Sequence, residues 1–199
     1  MEPLDEFDAR VLGALVEKQR TVPDTYPLTR NALVAACNQS TNRDPVVSWS
    51  DHEVQQTLDS LKARGYVRFV HPTQGRSATR YRQVLDEAEG FDPTEVALLA
   101  VLLLRGPQTV NELRTRTERY TEMDDVESVL ERLASRGLAE RRPGAREPRW
   151  VDTITSFERA ERAESPPARS DPGLGERVTA LEAEVAELRA VVDQLRDLL

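Results

Sequence analysis

One stretch constrains the fold more than any other. Residues Ser50 to Val70, SDHEVQQTLDSLKARGYVRFV, read as a helix that stops at a glycine and runs directly into a strand. Ser50 is a good N-cap, and Glu53 three residues on completes a capping box. Val54, Leu58 and Leu61 recur at helical spacing on one face. Lys62 and Arg64 fall in the last turn, where cations suit the helix dipole. Gly65 is placed to adopt the left-handed conformation that ends a helix. Tyr66, Val67, Phe69 and Val70 have strand composition.

The same unit returns at Asp124 to Arg141. Val54, Leu58, Leu61, Arg64 and Gly65 match Val126, Leu130, Leu133, Arg136 and Gly137 at a constant offset. Each unit follows two helical segments and precedes a polar turn and a second strand. The order predicts a mainly α chain with small β wings, an α+β fold of two tandem winged-helix domains. We place domain 1 over residues 1–88 and domain 2 over 89–155, then a linker over 156–174 and a coiled-coil helix over 175–199.

Along the first domain, a helix is expected from Asp5 to about Arg20, with Phe7, Val11, Leu12, Leu15 and Val16 inward. A proline-bounded loop, Thr21 to Pro27, leads to a second helix over Leu28–Cys37. Asn38 to Trp49 is a polar connection broken at Pro45. The wing is His71–Ala78, the return strand Thr79–Leu85, and Asp86–Gly90 an acidic linker. In the second domain, Asp92-Pro93-Thr94-Glu95 carries an N-cap, a first-turn proline and a Glu at the third helical position. The run Val96–Leu104 is almost wholly apolar, so this helix should be covered on more than one side. Thr109 with Glu112 opens a short helix to about Thr117. The second wing is Arg142–Pro148, with Trp150 inward on the return strand.

The tail is of another kind. Val178, Leu181, Val185, Leu188, Val192 and Leu195 alternate in steps of three and four. Val at a and Leu at d favour a parallel two-stranded coil, so a homodimer is expected through this helix. An amphipathic helix packed on its own chain is the alternative.

The loop and helices of the first domain also resemble a known family. Val11-Leu12-Gly13, Glu17-Lys18, Pro23-Asp24, Tyr26-Pro27-Leu28, Asn31-Ala32-Leu33, Ala36-Cys37-Asn38-Gln39 and Asn42-Arg43 with Pro45-Val46 resemble the YceH family of bacterial proteins. LLLRGPQT and ELRTRTER extend the resemblance into the second domain. It implies two winged-helix domains and dimers, but no agreed activity and no catalytic residues.

Charge limits the function. The formal net charge is −8 over 199 residues, which argues against coating nucleic acid by charge alone. The stretch Leu28–Leu85 nevertheless carries eight basic and four acidic side chains. A helix-turn-helix presents the exposed residues of its second helix to the major groove. Here these include His52, Gln55 and Gln56, and a glutamine can read adenine. Arg30, Arg68, Arg76, Arg80 and Arg82 would meet phosphates. The matching helix of domain 2 shows Asp124, Asp125, Glu127 and Glu131, so only its wing, with Arg142 and Arg146, suits DNA. Asn38, Asn42 and Arg43 form a polar cluster that would suit a small ligand, although such clusters more often satisfy an irregular backbone.

One cysteine and two histidines make no convincing metal site. No phosphate loop and no nucleophile–base pair can be assembled, so no cofactor and no catalysis are expected. The absence of a long apolar run or a signal peptide predicts a cytoplasmic protein without membrane contact. The sequence thus predicts a transcriptional regulator that binds double-stranded DNA. A tandem winged-helix adaptor that binds protein alone is the rival.

Overall fold

The computed structural model describes residues 1–71, 78–144 and 146–156. These residues belong to one compact unit, Met1–Arg159. It is a mixed α+β fold with small antiparallel sheets.

α1 (Glu6–Thr21) starts at Asp5, whose carboxylate accepts from the Asp8 N–H while the Asp8 carboxylate accepts from the Asp5 N–H. These bonds satisfy donors that a helix start leaves orphaned. Val11, Leu12, Leu15 and Val16 are all buried, as their spacing requires. A 3₁₀ turn over Pro23–Thr25 follows.

The second helix starts later than its apolar pattern suggests. Leu28 and Thr29 form a short strand, β1, and α2 runs Arg30–Cys37. Thr29 explains the shift: its hydroxyl accepts from the Ala32 N–H, so it serves as N-cap and holds extended backbone. Cys37 lies in the core, where burial pushes its thiol up to about 12 against the opposing pull of Arg10 and Arg43.

α3 (Asp51–Ala63) has the expected Ser50–Glu53 capping box. It closes with a Schellman motif. The Tyr66 N–H donates to Leu61 and the Gly65 N–H to Lys62, with Gly65 at φ +78°. β2 (Val67–Val70) pairs with β3 (Arg80–Gln83), and β3 also pairs with β1, so the sheet order is β1-β3-β2.

The expected acidic linker is instead a helix, α4 (Leu85–Glu89), ended by Gly90. Buried Leu85 anchors it, and the Gln83 side chain accepts from the Leu85 N–H.

α5 (Pro93–Arg105) is buried from Glu95 to Leu104. It packs on α1 from the first half and on α6 and α7 from the second, which accounts for its apolar surface all round. α1 approaches α5 closely at Gly13. A Cβ there would come within 2.7 Å of Leu104 Cγ.

α6 (Val110–Thr117) and α7 (Val126–Ser135) follow, then β4 (Ala139–Arg142) paired with β5 (Arg149–Asp152). Gln108 bridges Trp150 where β1 bridges Tyr81 in the first half. Trp150 is inward, as expected. Leu4 and Ser156 are joined by a backbone hydrogen bond, tying the start of the chain to the end of the second half. Among the described residues no helix is long and apolar enough to cross a membrane. The heptad positions Val178, Leu181, Val185, Leu188, Val192 and Leu195 lie outside the described residues.

Candidate nucleic-acid interface

The face in question is built on α3 and the β2–β3 ribbon. Val54, Leu58 and Leu61 hold α3 in the core, so its opposite side faces water. His52 and Gln56 are exposed there, one turn apart. Gln55 is half-buried and committed internally. Its amide oxygen accepts from Arg30 (3.2 Å) and from the Tyr81 hydroxyl (3.3 Å), and its amide nitrogen donates to Asp59 (3.1 Å). Arg30 also pairs with Asp51 at 2.5 Å.

The ribbon alternates as a half-buried sheet must. Val67, Phe69, Tyr81 and Gln83 point toward the core or pack against it. Arg68, Val70, Arg80 and Arg82 lie on the outer face. Register sets Arg68 directly across from Arg82. Both reach Glu87 of α4, at 2.9 and 2.8 Å. The Arg82 hydrogen bond, helped by the charges of Arg82 and Arg68, holds the Glu87 carboxyl below its usual range. Arg80 donates to the carbonyls of Thr25 and Pro27, bracing the proline-bounded loop. Arg76 lies outside the described residues.

The second half presents a different face. α7 is capped by Asp125, which accepts from the Glu127 and Ser128 N–H groups. Asp124, Asp125, Glu127 and Glu131 are all exposed. On its ribbon, Arg142 pairs with Glu140 at 2.5 Å. Arg146 is exposed in the turn.

The polar cluster of the long connection holds the loop itself. Asn38 exchanges two hydrogen bonds with the backbone of Trp49 (2.8 and 2.9 Å). Asn42 takes a left-handed conformation (φ 59°) and accepts from Arg105 at 2.6 Å. Arg43 is buried. It donates twice to the Ala36 carbonyl, near the end of α2, and pairs with buried Glu17 at 2.5 Å. Among the described residues no three His, Cys, Asp or Glu side chains are grouped as metal ligands.

Sequence reasoning missed one device. Arg64 follows α3 and reaches back to Asp8, inside the α1 capping box, at 2.6 Å; it also donates to the Glu2 carbonyl. Arg136 follows α7 and makes the same pair of contacts with Glu95 (3.0 Å) and the Glu89 carbonyl. The partners are related by position: Glu89 and Glu95 each stand 87 residues beyond Glu2 and Asp8. The signal was present, since Asp5-x-x-Asp8 and Asp92-x-x-Glu95 repeat alongside the two Arg-Gly pairs.

Comparison with known proteins identifies the family. Residues 4–149 match the model of a family described as "Protein of unknown function, DUF480". A UPF0502 protein of Pseudomonas aeruginosa (strain LESB58) is 52% identical over 161 residues, covering 78% of this chain and 72% of that one. A UPF0502 protein of Dechloromonas aromatica (strain RCB) is 44% identical over 203 residues, covering 95% and 94%. One from Solibacter usitatus (strain Ellin6076) is 43% identical over 203 residues, covering 97% and 96%. Matches over most of both chains leave one conclusion: this chain belongs to the DUF480/UPF0502 family of uncharacterised bacterial proteins.

Proposed function

We infer that this protein is a cytoplasmic, DNA-binding transcriptional regulator. In this reading each half is a winged helix, as the resemblance to the YceH family also implies, and residues 175–199 pair two chains through a coiled coil. The first half makes the principal contacts. The observation that carries the reading is the outer face of the β2–β3 ribbon, where Arg68, Arg80 and Arg82 stand together against a single carboxylate, Glu87. Such a strip suits phosphates, which position a protein on the duplex without reading sequence. His52 and Gln56 on the exposed side of α3 are the groove-facing candidates. Gln55 serves this role only by giving up its bonds to Arg30 and Tyr81.

The test is a titration against random duplex DNA at low and moderate salt. Affinity that falls steeply with salt supports phosphate contacts. No binding at low salt defeats the reading, because site-specific binders keep a non-specific mode.

One observation favours a rival, a protein-binding adaptor without DNA contact. Asp51 neutralises Arg30, Glu87 neutralises part of the ribbon, and α7 with the two residues before it exposes four carboxylates. Capture of a protein partner by a chain that binds no DNA would decide for it. The dimer has a separate test. Light scattering on the full chain and on a truncation after Arg159 should give a dimer and a monomer, respectively.

A further inference from the structure

At the junction of the two halves, single carboxylates are shared by several cations. Glu17, near the end of α1, is already neutralised by Arg43 at 2.5 Å, with both side chains buried. Lys18 nevertheless lies 3.4 Å from the same carboxylate and Arg119 3.8 Å from it. From α6, Glu112 holds both Arg116 (3.6 Å) and Arg149 (3.1 Å). Arg105, the last residue of α5, donates to the Asn42 amide oxygen. The Asp44 N–H donates to the Leu104 carbonyl, beside the end of α5. Three cations thus share the Glu17 carboxylate and two share that of Glu112.

These cations are not freely solvated. Only 16% of the Lys18 side chain and 26% of the Arg116 side chain remain exposed. Burial lowers the Arg105 pKa, and the charges of Arg116 and Arg119 push the same way against the pull of Glu112 and Tyr120. Like charges held together with reduced hydration repel one another, and an anion placed among them relieves that repulsion. Arginines also match phosphate oxygens with paired donors. Arg119 is half-exposed, stacks over the Tyr120 ring at 5.4 Å and holds Glu17 only loosely, so it can turn to an incoming group.

We propose that Arg105, Arg116, Arg119 and Lys18, where the ends of α1, α5 and α6 meet, bind a small molecule carrying two or more linked phosphates. The site is separate from the β2–β3 ribbon and does not depend on DNA binding. Its elements come from both halves, so occupancy would brace one half against the other.

The experiment is calorimetric titration of the full chain with pyrophosphate and with inorganic phosphate, at ionic strength matched with chloride. Saturable one-to-one binding of pyrophosphate, tighter than phosphate, is expected. The double variant Arg116→Gln/Arg119→Gln should weaken it by about tenfold, the loss of charge-assisted bonds. Arg119→Gln alone, at a half-exposed position with little bearing on folding, should weaken it severalfold. Arg68→Gln/Arg82→Gln should leave it unchanged. Three results would overturn the proposal. They are no saturable heat with pyrophosphate, equal affinity in the Arg119→Gln variant, and displacement of pyrophosphate by random duplex DNA. The last would assign the cluster to the nucleic-acid backbone instead.

Discussion

The two halves of this molecule share a frame and differ at the surface. In each, an acid-capped helix receives an arginine from beyond a later helix: Arg64 on Asp8, Arg136 on Glu95. In each, that later helix ends in a glycine-closed Schellman motif before a two-stranded ribbon. The shared residues are those that cap helices, close turns or fill the core. The outward faces diverge. Both ribbons carry arginines, but where α3 has His52 and Gln55 the α7 segment has Asp124 and Glu127, and with Asp125 and Glu131 it exposes four carboxylates. The first half also has the long connection through Asn42 and Arg43, where the second has a short turn after α6. Repetition therefore marks what the fold requires, and the departures mark where function is to be sought.

The largest effect should come from the departure that is buried. Arg43→Ala leaves Glu17 with only Lys18 and the looser Arg119, and strips donors from the Ala36 carbonyl. A loss of about 3 kcal/mol is expected in urea unfolding. A loss below about 1 kcal/mol would mean that the connection is not held as described. Gly13→Val should follow, at about 2 kcal/mol. Its side chain meets Leu104 where α1 crosses α5, and overpacking here strains both halves together. If only the first half loosened in hydrogen exchange, the shared core would be in doubt.

The paired helix starts differ in their response to acid. Burial opposes ionisation of Asp92, but bonds from the Thr94 hydroxyl, the Glu95 and Thr94 N–H groups and Arg132 outweigh it and hold the pKa near about 2. Its folded value lies below its unfolded one. The stability it adds is therefore complete above pH 4 and is lost as pH falls toward about 2. Asp92→Asn should remove about 1 kcal/mol at neutral pH, after allowance for the exposure of the group, and flatten the acid limb. Asp8 goes the other way. Burial raises its pKa, with the Asp5 charge adding to it against bonds from the Asp5 N–H and Arg64. Folding thus favours its protonated form, so Asp8→Asn should steepen the acid limb relative to wild type. Identical limbs for the two variants would show that the two starts are electrostatically alike. The smallest expected effect is a gain. Glu87→Gln frees Arg68 and Arg82 and should tighten DNA binding by about threefold. Unchanged or weaker binding would place the contacts elsewhere.

Much of the frame was legible in the sequence because its signals are local. Ser50 with Glu53, Thr109 with Glu112, and the glycines at 65 and 137 act on their own backbone within a few residues. What escaped depended on partners far along the chain. Thr29 shortens α2 because β3 pairs with the residues before it, and no helical pattern reveals that. The short helix α4 reads as a linker in the sequence because its acidic composition hides the anchoring by Leu85. The outer arginines were legible as a positive face, but not Glu87, which joins two of them from the next element. For Asn38, Asn42 and Arg43, the sequence pattern suits a satisfied irregular backbone as well as a ligand. Their partners at Trp49, Arg105 and Glu17 could only be found in three dimensions.

The most direct test of the central claim is a salt-dependent DNA titration of wild type beside Arg68→Ala/Arg82→Ala and Glu127→Lys/Glu131→Lys. If the first half's ribbon is the contact face, wild type binds random duplex with a negative salt slope. The arginine variant then binds more weakly with a slope shallower by about two. The lysine variant would gain affinity, because it replaces two carboxylates on α7 with cations that attract phosphates. Equal affinity and slope in wild type and the arginine variant would contradict the account, as would the absence of binding in all three.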